Sequence, residues 1–149
     1  MLGKLALFVH AVGMAAILFA IMRWVFDVSI AGSVAALFLC TLIYTFALLS
    51  LGLLVATRAQ SQMQALQITM VVLLPSVFFS GFIFPRETMP WIFYAIGWLL
   101  PTTYYIELLR AIVLRGASLA DFSDYVLVLA GIGLALFMFS ALRFRSKIA

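Results

Sequence analysis

The chain has 149 residues, of which 67% are hydrophobic and 9% are charged, and its mean hydropathy is +1.26. A soluble domain carries about 25% charged residues, so this composition excludes a water-soluble globular protein and predicts a surface that faces lipid. The net charge of +4 comes from scattered basic residues beside apolar runs, which argues against a nucleic-acid partner. Cys40 is the single cysteine, which excludes an intrachain disulfide and a cysteine-based zinc site.

Four apolar stretches are long enough to cross a membrane as helices. A spanning helix needs about 20 apolar residues, because the hydrocarbon core is about 30 Å thick. The stretches that meet this length run from about Leu5 to Val25, Ser33 to Ala56, Ala65 to Phe84 and Phe122 to Leu142. We therefore predict an all-α integral membrane protein with one transmembrane domain over residues 1–149.

The segment between the third and fourth spans is apolar and aromatic, but prolines and charges interrupt it. Pro101 divides it into Trp91–Leu100 and Thr102–Arg115, which as helices reach only about 15 and 21 Å, too short to cross the core. This predicts a re-entrant or interfacial helical hairpin over about residues 88–115 on the extracytoplasmic side. The alternative is one further, tilted span.

Local signals predict how three of these helices bend, begin or end. Pro75 lies inside the third span and removes a backbone hydrogen bond, so we expect a kink there. Gly116 follows the second hairpin helix, where a C-terminal glycine is expected. Ser118 and Asp121 have the spacing of a capping pair for the last helix.

The distribution of charge predicts the orientation of the chain in the membrane. One set of span ends carries basic residues and no acid, and these are Lys4, Arg58, Arg143, Arg145 and Lys147. The opposite loops carry all five acids, which are Asp27, Glu87, Glu107, Asp121 and Asp124. The positive-inside rule therefore predicts that both termini are cytoplasmic.

Motifs for catalysis are missing from the sequence. Gly3-Lys4 is followed by Leu5 and lacks the preceding glycine of a phosphate-binding loop, so the chain is not expected to hydrolyse ATP. A single histidine excludes an H-E-x-x-H zinc site, and there is no G-x-S-x-G nucleophile motif. We predict that the chain is not an enzyme and has no catalytic or metal-binding residue.

Charged and proline residues make the hairpin a candidate gate. Pro90 and Pro101 delimit its helices, and Glu107 and Arg110 are three residues apart on the second one. An ion pair at a half-buried membrane edge costs more to break than a surface pair, because one charge is stranded. The pair is interpreted either as structural or as part of a gate.

Polar residues inside the spans are candidates for a substrate path or for helix packing. The third span carries four of them, namely Gln67, Thr69, Ser76 and Ser80. They either face a path or bond to neighbouring helices, and the second reading is favoured. His10 has no intramembrane carboxylate beside it, so we interpret it as a helix contact rather than a proton relay. Arg23 and Asp27 are spaced to pair across one helical turn.

The segment Leu73–Ala117 resembles the C-terminal half of an ABC-2 type transporter permease, most closely bacterial permeases of the multidrug-export kind. The pieces that carry the resemblance are SGFIFP (Ser80 to Pro85), Met89-Pro90, LPTTYY (Leu100 to Tyr105) and LLRAIVLRG (Leu108 to Gly116). Gly3-Lys4-Leu5 resembles the start of the third membrane helix of that family. The likeness covers essentially the whole chain.

This resemblance implies a multi-pass protein of the bacterial inner membrane that works as a homo- or heterodimer. It also implies a separate ATP-binding subunit that holds ATP and Mg²⁺, so that this chain holds no cofactor. The four spans would correspond to the third to sixth of six family helices, and the hairpin to a re-entrant element. The chain departs from the pattern in lacking the first two helices and the cytoplasmic coupling helix.

The functional hypothesis is that this is the C-terminal membrane part of an ABC exporter permease, which forms the substrate path while a partner hydrolyses ATP. The alternative is a small non-transporting membrane assembly or structural protein, or a degenerate permease fragment. A proton-driven exporter is less well supported, because no acidic residue lies in the middle of a span. The apolar walls do not define the substrate.

Overall fold

The computed structural model describes residues 2–25, 27, 29, 31–118 and 120–146. Over these ranges the chain is helical and contains no strand. The helices are α1 (Leu2–Trp24), α2 (Val34–Arg58), α3 (Gln62–Phe79), α4 (Trp91–Leu99), α5 (Pro101–Arg115) and α6 (Ser123–Ser146), with a 3-10 turn at Arg86–Thr88. Lys147, one of the basic residues used to predict orientation, lies outside the described residues.

Four helices are long and apolar enough to cross a membrane, as predicted. Their spanning parts are Leu5–Trp24, Val34–Arg58, Gln62–Phe79 and Ser123–Leu142. Helices α4 and α5 form a pair bent by 88°, which is either a re-entrant hairpin or one broken span. The all-helical membrane fold with four spans and a bent pair is therefore confirmed.

The third span ends earlier than the sequence predicted. Helix α3 stops at Phe79, and the apolar residues 80–84 that were assigned to it form turns and bends instead. The cause is Gly81, whose φ of +87° lies in the left-handed region that helix residues do not adopt. Helix α3 continues through Pro75, and the kink expected there stays a prediction.

Helix α2 is the centre of the bundle, and it packs against α6, α5 and α1. The buried cluster brings together side chains of α2, α5 and α6, and its fully buried members include Leu37, Cys40, Leu108 and Leu129. Gly133 lets α6 approach α2 closely, since a Cβ there would lie 3.3 Å from Ala47 Cβ. Close packing and van der Waals contact hold membrane helices together in this way.

Helices α1 and α3 lie at the edge of the bundle. None of the residues in the spanning windows of these two helices is buried, against one third of the α2 window. Their large side chains, such as Leu18 and Val71, remain exposed. In a membrane these faces contact lipid or other protein.

Short-range hydrogen bonds define several helix ends. Gly116 caps α5 with φ +63°, and Ala117 N donates to Ala111 O at 3.1 Å, so the predicted glycine cap is confirmed. Ser118 Oγ and N both donate to Asp121 Oδ2, at 2.9 and 3.1 Å. The predicted pair therefore forms, but it stabilises the turn before α6 rather than capping the helix itself, which begins at Ser123.

The loop between α1 and α2 is attached to the far end of α5. Ala31 N donates to Val113 O at 3.2 Å. Gly32 allows this approach, because a Cβ at that position would lie 2.6 Å from Ile112 O. This contact fixes the C-terminal end of α5 against the start of α2.

Candidate functional site

Two prolines mark the starts of the two hairpin helices, α4 and α5. Pro90 is the residue before the first turn of α4, and Pro101 is the first residue of α5. Proline is well tolerated at the first helical position, since its missing N–H would have no partner there. The two prolines predicted as gate residues therefore set the start of each hairpin helix.

Two hydroxyl groups of α5 close the corner of the hairpin. Thr103 Oγ1 donates to Gly97 O at 2.6 Å, and Tyr104 Oη donates to Trp98 O at 2.7 Å. The last carbonyls of a helix have no partner within it and need one elsewhere when buried. Trp98 O obtains this partner from Tyr104, whereas Gly97 O accepts from Leu100 N as well as from Thr103. Both side-chain bonds connect α5 to the end of α4 at the 88° bend.

Helix α4 also lies directly on the end of α3. A Cβ on Gly97 would be 2.6 Å from Phe79 O, so only glycine allows the two backbones to approach this closely. The rings of Phe79 and Phe93 stack beside this contact with centroids 4.9 Å apart. The end of α3 and the first hairpin helix are therefore in close backbone and side-chain contact.

A tyrosine pair connects the hairpin to the central helix. The rings of Tyr44 on α2 and Tyr105 on α5 stack with centroids 4.2 Å apart and planes 2° apart. Tyr105 Oη lies 3.0 Å from Thr41 Oγ1, and Tyr44 Oη lies 3.2 Å from Thr102 Oγ1. Each tyrosine hydroxyl is thus satisfied across the interface, which attaches α5 to α2. Local spacing does not predict this pairing, because it joins positions about sixty residues apart.

Arg110 binds a backbone carbonyl rather than the predicted acid. Its Nη2 donates to Gly81 O at 2.7 Å, in the turn that follows α3. The expected pair with Glu107 is not formed, since the one ion pair within 4.0 Å in the described part of the chain joins Arg23 to Asp27. Arg110 therefore ties the second hairpin helix to the end of α3. Arg23 Nη1 and Asp27 Oδ1, at 3.8 Å, make the predicted contact.

The polar residues of α3 do not bond to neighbouring helices as favoured from the sequence. The hydroxyls of Thr69, Ser76 and Ser80 donate within the helix, to Ala65 O, Val72 O and Val77 O. Serine and threonine hydroxyls in helices commonly donate to a carbonyl three or four residues earlier in the same helix. Gln67 and Thr69 are exposed, Ser76 is half-buried and Ser80 is buried, so the four do not gather at one point. Their role in a path stays a prediction.

Two open cavities flank the hairpin, and apolar side chains line most of both. One of about 410 Å³ lies between α3 and α4, against Pro75, Phe78, Pro90 and Phe93. The other, of about 680 Å³, lies between α1, α2 and α5 and is lined by both stacked tyrosines. Of the predicted site residues, Pro90 alone lines either cavity. His10 is exposed on α1 and lines neither.

Comparisons with known proteins agree on one family. The ABC-2 type transporter family matches residues 2–114. The inner membrane transport permease YhhJ of Escherichia coli is 36% identical over 126 residues, which are 85% of this chain and 34% of that protein. The probable multidrug ABC transporter permease YbhR of Escherichia coli is 31% identical over 105 residues, covering 70% of this chain and 28% of that protein.

A relative from a eukaryote also matches part of the chain. ABC transporter G family member 20 of Dictyostelium discoideum is 32% identical over 94 residues, which are 63% of this chain and 13% of that protein. No solved structure matches the chain. The chain spans about a third of the length of the bacterial permeases it matches.

Proposed function

Because the chain belongs to the ABC-2 type transporter family, we propose that it forms the C-terminal membrane part of the permease of an ATP-driven exporter. It lines part of the substrate path, while a separate subunit binds ATP and Mg²⁺ and hydrolyses the nucleotide. The observation that carries this proposal is the family match over residues 2–114, which includes every span but the last and all of the bent pair except Arg115. The chain's own side chains supply no cofactor site in this proposal.

The proposed role of the hairpin is that of an external gate. Its contacts connect it both to α2, through the stacked tyrosines, and to the end of α3, through Arg110 and Gly97. Rigid-body movement of α3 relative to α2 would strain one set of contacts or the other and so move the hairpin. Packed elements of this kind switch between discrete arrangements rather than deforming gradually.

The proposed placement is in the bacterial inner membrane with both termini cytoplasmic. The acid-free set of basic residues supports this orientation through the positive-inside rule. The faces of α1 and α3 that the bundle leaves open supply surface for lipid, further permease helices and a second permease copy. An interface with one of these would bury the exposed apolar side chains of both helices.

The test is association with an ATP-binding subunit followed by transport. The tagged chain is purified from native membranes in mild detergent, and a co-purifying subunit with a phosphate-binding loop is identified and co-expressed with it. Inside-out vesicles then report ATP-dependent uptake of a fluorescent amphiphile, with an ATPase variant lacking the phosphate-loop lysine as the control. If no such subunit is bound and uptake does not depend on ATP, the alternative of a non-transporting assembly or structural protein, or of a degenerate permease fragment, replaces this proposal.

The gate is tested in the same vesicles with Glu107→Ala and Arg110→Ala. We expect Arg110→Ala to change ATP-dependent uptake, because it detaches α5 from the end of α3. The matched control is Arg115→Ala, at the exposed last residue of α5. Unchanged uptake in both hairpin variants would remove the gating role and leave the permease assignment standing.

A further inference from the structure

The guanidinium group of Arg86 lies in a corner made by two aromatic rings. Its Cζ atom is 4.4 Å from the ring centroid of Tyr94 and 4.8 Å from that of Trp98, which are four residues apart on α4. Attraction to the ring faces stabilises the cation and fixes its position. The ring faces do not satisfy its N–H groups, which point along the edge of the guanidinium plane.

Those N–H groups lack acceptors. Nε and Nη2 of Arg86 are buried and have no hydrogen-bond partner within the described residues. A buried donor without an acceptor is destabilising, and more so when it is charged. The neighbouring Glu87 is exposed and makes no ion pair within 4.0 Å in the described part of the chain. The site is therefore built around a cation that has no counter-charge.

A second arginine converges on the same residue. Arg110 Nη2 binds Gly81 O at 2.7 Å, and the Cγ atom of Arg86 lies 2.8 Å from the position of a Cβ on Gly81. The side chains of Arg86 and Arg110 thus both reach Gly81. A cation without a counter-charge in a low-dielectric setting attracts an anion strongly.

We propose that Arg86, supported by Arg110, binds a phosphate group. The forked edge of a guanidinium matches the oxygens of a phosphate, and the bond is charge-assisted at both ends. Tyr94 and Trp98 lie over the guanidinium, and these two residues are 40% and 39% exposed. Rotation of these surface side chains opens the edge of the guanidinium to the ligand.

The phosphate comes either from a membrane phospholipid or from a small soluble anion. The cavity of about 410 Å³ is lined by Thr88 and Met89, two and three residues after Arg86, and by Pro90 and Phe93. Its apolar lining suits an acyl chain whose headgroup sits at Arg86. Basic pockets between membrane helices bind lipid headgroups by the same combination of charge and apolar surface. This inference concerns binding alone and does not depend on the proposed transport.

The experiment measures binding through Trp98, whose ring lies against Arg86. Trp24 and Trp91 are 87% and 77% exposed, so Trp24→Phe and Trp91→Phe leave Trp98 as the single fluorophore without disturbing the bundle. The full chain in dodecyl maltoside micelles is titrated with phosphatidylglycerol, with dioleoylglycerol, which has the same chains and no phosphate, and with inorganic phosphate. Each titration is repeated with Arg86→Gln and with the control Arg115→Gln.

Saturable binding of phosphatidylglycerol that Arg86→Gln weakens at least tenfold, with Arg115→Gln within twofold of the parent, supports the lipid source. The same pattern with inorganic phosphate and not with phosphatidylglycerol supports a small anion. Equal binding of dioleoylglycerol and phosphatidylglycerol, or no effect of Arg86→Gln, overturns the proposal. If Arg86→Gln fails to fold, the titrations are repeated with Arg86→Lys, which keeps the positive charge and loses the forked N–H groups of the guanidinium. Parent-like affinity in Arg86→Lys would then overturn the proposal, and weakened affinity would support it.

Discussion

Replacing Gly97 by alanine tests the contact between the hairpin and the end of α3. A Cβ at this position would lie 2.6 Å from Phe79 O, a backbone atom that cannot move without displacing the last turn of α3. Overpacking of this kind costs about 1–3 kcal/mol. Alanine also stabilises a helix interior by about 0.5–1 kcal/mol relative to glycine, which partly offsets that cost.

The matched control separates these two contributions. Gly131 lies inside α6, and a Cβ there would meet nothing within 4 Å. Gly131→Ala therefore gains only the stabilisation that alanine gives a helix interior. The free energy of unfolding of Gly97→Ala should be lower than that of Gly131→Ala by about 1–3 kcal/mol. For a domain of this size that difference corresponds to a change of about 2–12 °C in Tm.

The assay uses the single cysteine of the chain. Cys40 is fully buried in the cluster between α2, α5 and α6, so a maleimide dye that fluoresces on reaction reports unfolding in detergent. The dye is added to each variant along a temperature ramp, and the midpoints are compared. If Gly97→Ala melts at or above the temperature of Gly131→Ala, the close approach of α4 to α3 is refuted.

Three further substitutions test the hydrogen bonds of the hairpin with the same assay. Thr103→Val should cost about 0.5–1.5 kcal/mol, because it removes the 2.6 Å bond to Gly97 O, which still accepts from Leu100 N. Arg110→Met should cost about 1.5–3 kcal/mol through loss of a charged donor to Gly81 O. Glu107→Gln should change stability by less than about 0.5 kcal/mol, since Glu107 makes no ion pair within the described residues.

Each of these variants has a counterpart elsewhere in the chain. Thr69→Val is the control for Thr103→Val, because the exposed Thr69 hydroxyl bonds only within its own helix. Arg115→Met is the control for Arg110→Met. Equal midpoints within either pair would show that the corresponding bond does not hold the hairpin, and a marked loss in Glu107→Gln would show that its carboxylate has a partner.

The number and approximate place of the spans could be predicted from the sequence, because length and apolarity decide them. The end of α3 could not be, since the residues 82–84 after the break are as apolar as the helix itself. The break comes from Ser80 and Gly81, where the chain turns through a positive φ. Hydropathy carries no information about backbone angles, so the predicted span ends about five residues after the helix does.

The pairing of side chains was harder to predict for a related reason. The spacing of Glu107 and Arg110 indicated a local ion pair, yet Arg110 binds Gly81, which is 29 residues away. The corner that Arg86 occupies depends on where α4 lies after the turn, and no local pattern encodes that. The hydroxyls of Thr69 and Ser76 on α3 donate to carbonyls of their own helix. Residue spacing alone does not distinguish such a bond from one to another helix.

The hydrogen bond from Ala31 N to Val113 O makes proton exchange just before α2 depend on the position of the hairpin. An amide exchanges its proton with solvent only when its hydrogen bond opens. Because the acceptor of Ala31 N–H belongs to α5, departure of the hairpin from the bundle frees this amide even if α2 stays in place. Deuterium uptake at that single position therefore counts openings of the hairpin, without a label attached to the hairpin itself.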